Sequence, residues 1–184
     1  GGSVLASSKI KTELDLLRES VPVIASYGNY AASGGYWISA NTDKIFSNAT
    51  TLTGSIGVFS MIPDISGALK NKLHVNVTTV NSNDHSDMYT LIKPLDAAEK
   101  AYMQASVENI YNRFTSIVAD GRDMTVEEVD AIAQGRVWTG AEAEGIGLVD
   151  QIGTLTDALN YAAISIEGVE SLNDVQILEY PKPQ

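Results

Sequence analysis

Apolar residues recur at helical spacing near the start of the chain, at Ile10, Leu14 and Leu17, with Ser7 or Ser8 placed to cap them. That pattern predicts a first helix. Val21-Pro22-Val23-Ile24-Ala25 is a short apolar run headed by proline and predicts a buried strand. Gly28 to Gly35 is small and Gly/Ala-rich and leads into Tyr36-Trp37-Ile38, the pattern of strand, tight turn and helix. Lys44-Ile45-Phe46 predicts a second strand. Leu52 to Phe59 sets Gly54 and Gly57 among β-formers and predicts a bent strand or loop. Pro63 to Leu73 reads as a helix with proline in its first turn, and the β-branched run Val75 to Val80 as a third strand.

Asn81 to Thr90 is polar and turn-rich, the best candidate for a mobile loop. The clearest helix follows. Asp96 caps it, Glu99 completes a capping box, Met103, Val107, Ile110, Phe114 and Ile117 form its apolar stripe, and Gly121 is expected to stop it. Thr125 with Glu128, and Thr139 with Glu142, repeat the capping-box pattern. A last helix is expected over Thr154 to Ala163, and an apolar run, Val175 to Leu178, precedes a Pro-containing tail. Strands alternating with helices predict an α/β fold with a helix-rich second half, in one domain over 1–165 and a tail over 166–184.

Composition narrows the function. The chain has 184 residues, 44% of them hydrophobic and 19% charged, which suits a globular domain with a real core. A net charge of −11 argues against nucleic-acid partners and against a polybasic membrane patch. The absence of cysteine excludes disulfides and thiolate metal sites. No stretch reaches the roughly 18 apolar residues of a spanning helix, and no signal peptide is recognisable. The abrupt opening Gly1-Gly2-Ser3, without a methionine, is read as the start of a piece of something longer, with any anchor upstream.

Three glycine-containing segments could carry chemistry. In Asn29-Tyr30-Ala31-Ala32-Ser33-Gly34-Gly35 a serine stands on a turn between strand and helix, a place that exposes a nucleophilic Oγ, and Gly34 leaves the following amide unobstructed. On the residues alone, close backbone packing is the better explanation of this segment. Gly1-Gly2-Ser3 could present bare amides to an oxyanion or be a plain turn. Thr53-Gly54-Ser55-Ile56-Gly57 could orient a base through its hydroxyls or be a simple bend.

Together the segments resemble the signature blocks of the signal peptide peptidase A, or protease IV, family. The matching blocks are Gly1-Gly2-Ser3-Val4, Ala31 to Ile38, Leu52 to Phe59, Ala133 to Gly140 and Gly145 to Asp150. The resemblance implies a Clp protease/crotonase fold of repeated ββα units. It implies a serine peptidase with a Ser/Lys dyad that degrades cleaved signal peptides. By the match, Ser33 is the nucleophile, Gly34 and Gly1 form the oxyanion hole, and Ser55 orients the lysine. No cofactor and no metal are expected. The implied partners are hydrophobic signal-peptide substrates and further copies of the chain. The implied location is the bacterial cytoplasmic membrane, with the site on the extracytoplasmic side.

The family's short members carry the lysine at a position corresponding to residues 85–86, where this chain has His85 and Ser86. Long, tandem members divide the dyad, their amino-terminal half supplying the lysine and the carboxy-terminal half the serine. The resemblance thus implies a carboxy-terminal half whose partner is the missing amino-terminal half, and an inactive isolated fragment. His85, flanked by Asp84 and Asp87, is the rival base of a Ser/His/Asp arrangement. A non-catalytic assembly module and a crotonase-type acyl-CoA enzyme are the other classes. Lys93 is expected to be a solvated charge, His74 structural, Trp37 and Trp138 packing residues, and Asp150 a carboxylate that Arg136 could pair with.

Overall fold

The computed structural model describes residues 2–181. In chain order the elements are α1 (Val4–Arg18), β1 (Ile24–Tyr27), β2 (Tyr30–Ala32), α2 (Gly34–Ser39), β3 (Lys44–Ser47), β4 (Leu52–Gly54) and α3 (Ser66–Lys72). They continue with α4 (Ala97–Arg122), α5 (Val126–Ile132), β5 (Val137–Thr139), α6 (Gly140–Gly145), β6 (Gln151–Ile152) and α7 (Leu155–Ile164). The chain forms two compact units: Gly1–Gly57 with Arg113–Gln184, and Val58–Asn112.

The first unit holds two small sheets. One is parallel throughout, in the order β1-β3-β6. The other, β2-β4-β5, pairs β2 and β4 in parallel and β4 with β5 antiparallel. The core is made of Tyr36, Ile45, Phe46, Ile56, Phe114 and Leu148, each 2% exposed or less. Burying side chains of this size stabilises by about 1.5–3 kcal/mol each. Trp37 packs on Phe114 with ring centroids 4.8 Å apart, so it is a packing residue as expected.

Capping decides most helix starts. The boxes Asp96/Glu99, Thr125/Glu128 and Thr139/Glu142 all form. A further box, Thr154 with Asp157, starts α7. At α1 the cap is Ser3, whose side chain accepts from Ala6 N, while Ser7 is buried inside the helix. Gly121 does not stop α4, which runs on to Arg122. A Cβ on Gly121 would lie 2.3 Å from the Ala40 carbonyl oxygen, so this glycine is needed for a close backbone approach. Gly57 serves the same end: its Cβ would meet Gly135 Cα at 2.6 Å.

The second unit contains α3 and the first part of α4. Its only fully buried residue among those described is Glu99. The strand expected at Val75 to Val80 does not form. The segment is irregular and exposed throughout, because no neighbouring strand pairs with it, and β-branched composition alone cannot satisfy a ladder.

Candidate active site

Ser33 sits between β2 and α2 with φ 55° and ψ −117°, backbone angles that cost a side-chain-bearing residue about 1–3 kcal/mol. Its N–H donates to the Gly54 carbonyl at 2.9 Å and its carbonyl accepts from Trp37 N at 2.8 Å. Its hydroxyl makes no capping bond to the helix it precedes. Gly34 opens α2, where a helix N–H has no intrahelical acceptor.

The register Ala32↔Gly54 places Ser33 and Ser55 one residue beyond paired positions, at the same end of adjacent parallel strands. Ser55 also has a left-handed backbone, φ 48°, and its N–H donates to the Arg136 carbonyl at 2.8 Å. Between them Gly54 has φ 75°, and a Cβ there would strike Trp138 Cδ1 at 2.9 Å. Trp138 is itself fixed by its indole N–H donating to the Ile132 carbonyl at 3.0 Å. The fold therefore brings Ser33, Gly34 and Ser55 to one strand end. Gly1 lies outside the described residues.

An apolar groove of about 360 Å³ adjoins this turn, lined among others by Leu14, Tyr30, Ala31, Gly35 and Ile38. Ala31 and Gly35 stand two residues on either side of Ser33.

Behind α2 is a polar network that the sequence pattern did not reveal. The Tyr36 hydroxyl donates to the Leu148 carbonyl at 2.8 Å, and the Tyr27 hydroxyl shares a 2.6 Å hydrogen bond with Ser39 Oγ. Burial pushes both phenols well above the ordinary tyrosine range, so both stay neutral. Asp150 is held by Arg122, not Arg136: Arg122 donates to its two carboxylate oxygens at 3.1 and 2.6 Å, and Ile45 N donates to it at 2.7 Å. Burial alone would raise the Asp150 pKa, but the guanidinium and the amide outweigh it and hold the carboxyl low. Arg136 instead donates to the Ala131 and Ala133 carbonyls. The signal for the true pair was an arginine at the end of the long helix, too far along the chain from Asp150 to be matched by spacing.

In the second unit His85 Nδ1 lies 3.3 Å from Asp96 Oδ2 and 3.4 Å from Glu99 Oε1. Lys93 is not a solvated charge. Its ammonium is 2.6 Å from Asp87 Oδ1 and 3.1 Å from Glu99 Oε1, and these carboxylates raise its pKa, Asp87 most. A general base near neutral pH needs the opposite shift. His85, Asp96 and Glu99 have donor atoms within 4.8 Å of one another, a spacing a metal could use. Glu99 is already engaged on both oxygens, by Lys93 and by Asp96 N, so the set fits an ammonium better than a metal ion. His74, at φ 53°, is exposed.

The fold is that of the Clp proteases. A ClpP1 mutant from Listeria monocytogenes superposes with a TM-score of 0.52 at 16% identity, covering 86% of this chain and 71% of that one. Residues 15–168 match peptidase family S49, and the chain belongs to that family. It is 43% identical over 164 residues to Protease 4 of Salmonella typhi, covering 89% of this chain and 26% of that protein. It is 36% identical over 163 residues to the chloroplastic serine protease SPPA of Arabidopsis thaliana, covering 88% of this chain and 24% of that protein. The chain thus spans about a quarter of the length of these two relatives. No helix among the described residues is long and apolar enough to cross a membrane.

Proposed function

We propose that this chain is the nucleophile-bearing part of a serine peptidase that cuts hydrophobic peptides, with Ser33 as nucleophile. The observation that carries the reading is the strained backbone of Ser33 at the β2–α2 junction. Strain of this kind persists where a turn must present a side chain to a reacting group. Ser33 Oγ attacks the scissile carbonyl as a neutral lysine amine takes its proton. The Gly34 N–H, with an amide from Gly1-Gly2, receives the oxyanion. Collapse expels the peptide amine, which takes the proton back from the lysine, and water then hydrolyses the acyl-enzyme. Ser55, at the end of the adjacent strand, orients the lysine.

The lysine comes from another part of the full-length protein, an amino-terminal half. Two observations favour this. Within the first unit Lys11 is tied to Asp15 at 2.6 Å, and Lys44 lies over the rings of Phe46 and Tyr161. In the second unit, Lys93 is shifted away from the base form. The apolar groove beside Ala31 and Gly35 suits a signal-peptide remnant, and the active assembly is an oligomer at the bacterial membrane, with its site on the extracytoplasmic side. A histidine mechanism through His85 is the second reading. The approach of His85 to Asp96 and Glu99 favours it, since a carboxylate beside an imidazole is the pairing such a mechanism uses.

Ser33→Ala in the full-length protein should keep its fold and lose peptide hydrolysis by about a thousandfold or more. Turnover within about tenfold of wild type would reject Ser33 as nucleophile. His85→Ala separates the two bases: it leaves the rate nearly unchanged if a lysine acts and abolishes it if the imidazole does.

A further inference from the structure

The left-handed backbone of Ser33 has to be held by its surroundings. Helix α2, which follows it, is only six residues long and too short to be stable by itself. Its position must come from side chains that reach out of it. Trp37 stacks on Phe114, Ser39 bonds Tyr27, and Tyr36, fully buried, reaches a carbonyl 112 residues away in sequence, that of Leu148.

The Leu148 carbonyl is a useful anchor only if its own loop is fixed; backbone bonds from Leu148 and Val149 to the Ala143 carbonyl hold its middle, and one side chain ties both of its ends. Arg122 Nε donates to the Gly147 carbonyl at 2.9 Å, one residue before Leu148. Its two terminal nitrogens clasp Asp150, two residues after. Asp150 in turn takes the N–H of Ile45 in β3. The Arg122 side chain is 8% exposed, and nothing in the proposed chemistry uses its charge. Withdrawing a guanidinium from water for an ion pair is a poor way to gain stability alone. Its planar fork, however, fixes three acceptors on one short loop at defined angles, which an ammonium or an apolar side chain cannot do.

We infer that Arg122 is a positioning residue for the nucleophile, acting through the Gly147–Asp150 loop and the Tyr36 hydroxyl to hold the Ser33 turn. The inference rests on Ser33 being the nucleophile, and it deepens that reading. It makes Tyr36 and Arg122 successive links in one chain of contacts, so removing either link should have the same effect as removing both.

The test uses the full-length protein with a fluorogenic apolar peptide and a fluorophosphonate that labels the active serine. Tyr36→Phe removes only a hydroxyl; Arg122→Lys keeps the charge and removes the fork. Each should lower kcat and the labelling rate by about tenfold to a hundredfold, the range that small misplacement of a reacting group costs, while KM changes less than about threefold. The double variant should be no slower than the worse single one. Circular dichroism and melting temperature identify the folded fraction, to which rates are normalised. The inference is overturned if folded Tyr36→Phe protein labels at the wild-type rate. It is overturned equally if the two substitutions multiply or if the loss lies in KM. Failure of the nucleophile reading shows up separately, as activity and labelling that survive Ser33→Ala.

Discussion

The two units of this chain are held by opposite means. In the first, the fully buried core is built mainly of apolar side chains and neutral phenols; of the polar groups that enter it, Tyr36 and Arg122 are hydrogen-bonded, whereas Trp37 Nε1 has no hydrogen-bond partner. In the second, the one fully buried residue is a carboxylate, Glu99, around which His85, Lys93 and the Asp96 amide gather. Large apolar side chains there face outward, among them Phe59, Met61 and Val80 at 85, 82 and 97% exposed. The contrast teaches where precision resides. Close packing fixes atoms to fractions of an ångström and suits the unit that bears the strained serine. Ion pairs fix charges more loosely and depend on pH.

The comparison can be broken at its tightest point. Gly121→Ala should cost about 2 kcal/mol or more, because the added methyl meets the Ala40 carbonyl and the better helix propensity of alanine, worth roughly 1 kcal/mol, cannot offset the clash. A denaturant melt checks it, and an unchanged midpoint would show that α4 moves freely against the turn after α2.

A smaller effect, confined to the second unit, follows from its charges. The Asp96 amide, Lys93 and His85 hold the Glu99 pKa low, and Lys93 does the same for Asp87. Carboxylates depressed in the folded state contribute above their unfolded values, near 4, and lose that contribution as pH falls through the lower folded ones. Lys93, raised by the same contacts, contributes below its unfolded value, near 10.4, and loses it as pH rises through the higher folded one. Amides of residues 81–96 should therefore exchange faster, after correction for intrinsic rates, at both extremes of pH, and Glu99→Gln should flatten both limbs. Equal acceleration in β2 and β4 would refute the division. The smallest effect is expected at Val80: Val80→Thr should shift stability by less than about 0.5 kcal/mol, measured by the same melt, since the side chain touches almost nothing.

What could be read from the chain depended on distance along it. Capping boxes are local, and Asp96/Glu99, Thr125/Glu128 and Thr139/Glu142 were legible because three-residue spacing contains the whole interaction. The box at Thr154 was missed because its partner is Asp157, a shorter acid than the pattern seeks. The serine turn was legible as a Gly/Ala segment between a strand and a helix, although its left-handed backbone was not. Gly121 was misread because a glycine near the end of a helix has two explanations, a stop and a close approach, and only the position of Ala40 decides between them. Val75 to Val80 has strand composition and no partner. Arg122 and Asp150 meet only once α4 has folded back, so Arg136, nearer in sequence, was the false choice.

The hydrogen bond from Tyr36 to Leu148 also sets a timetable. A ribosome adds about 5–20 residues per second, so Leu148 emerges roughly ten seconds after the serine turn. Strand β4 likewise waits for β5, and β3 for β6. Throughout that interval the serine exists on a nascent chain whose turn lacks the anchor that Tyr36 provides. The serine turn thus gains its last support only after more than a hundred further residues have been made, the 112 that separate Tyr36 from Leu148.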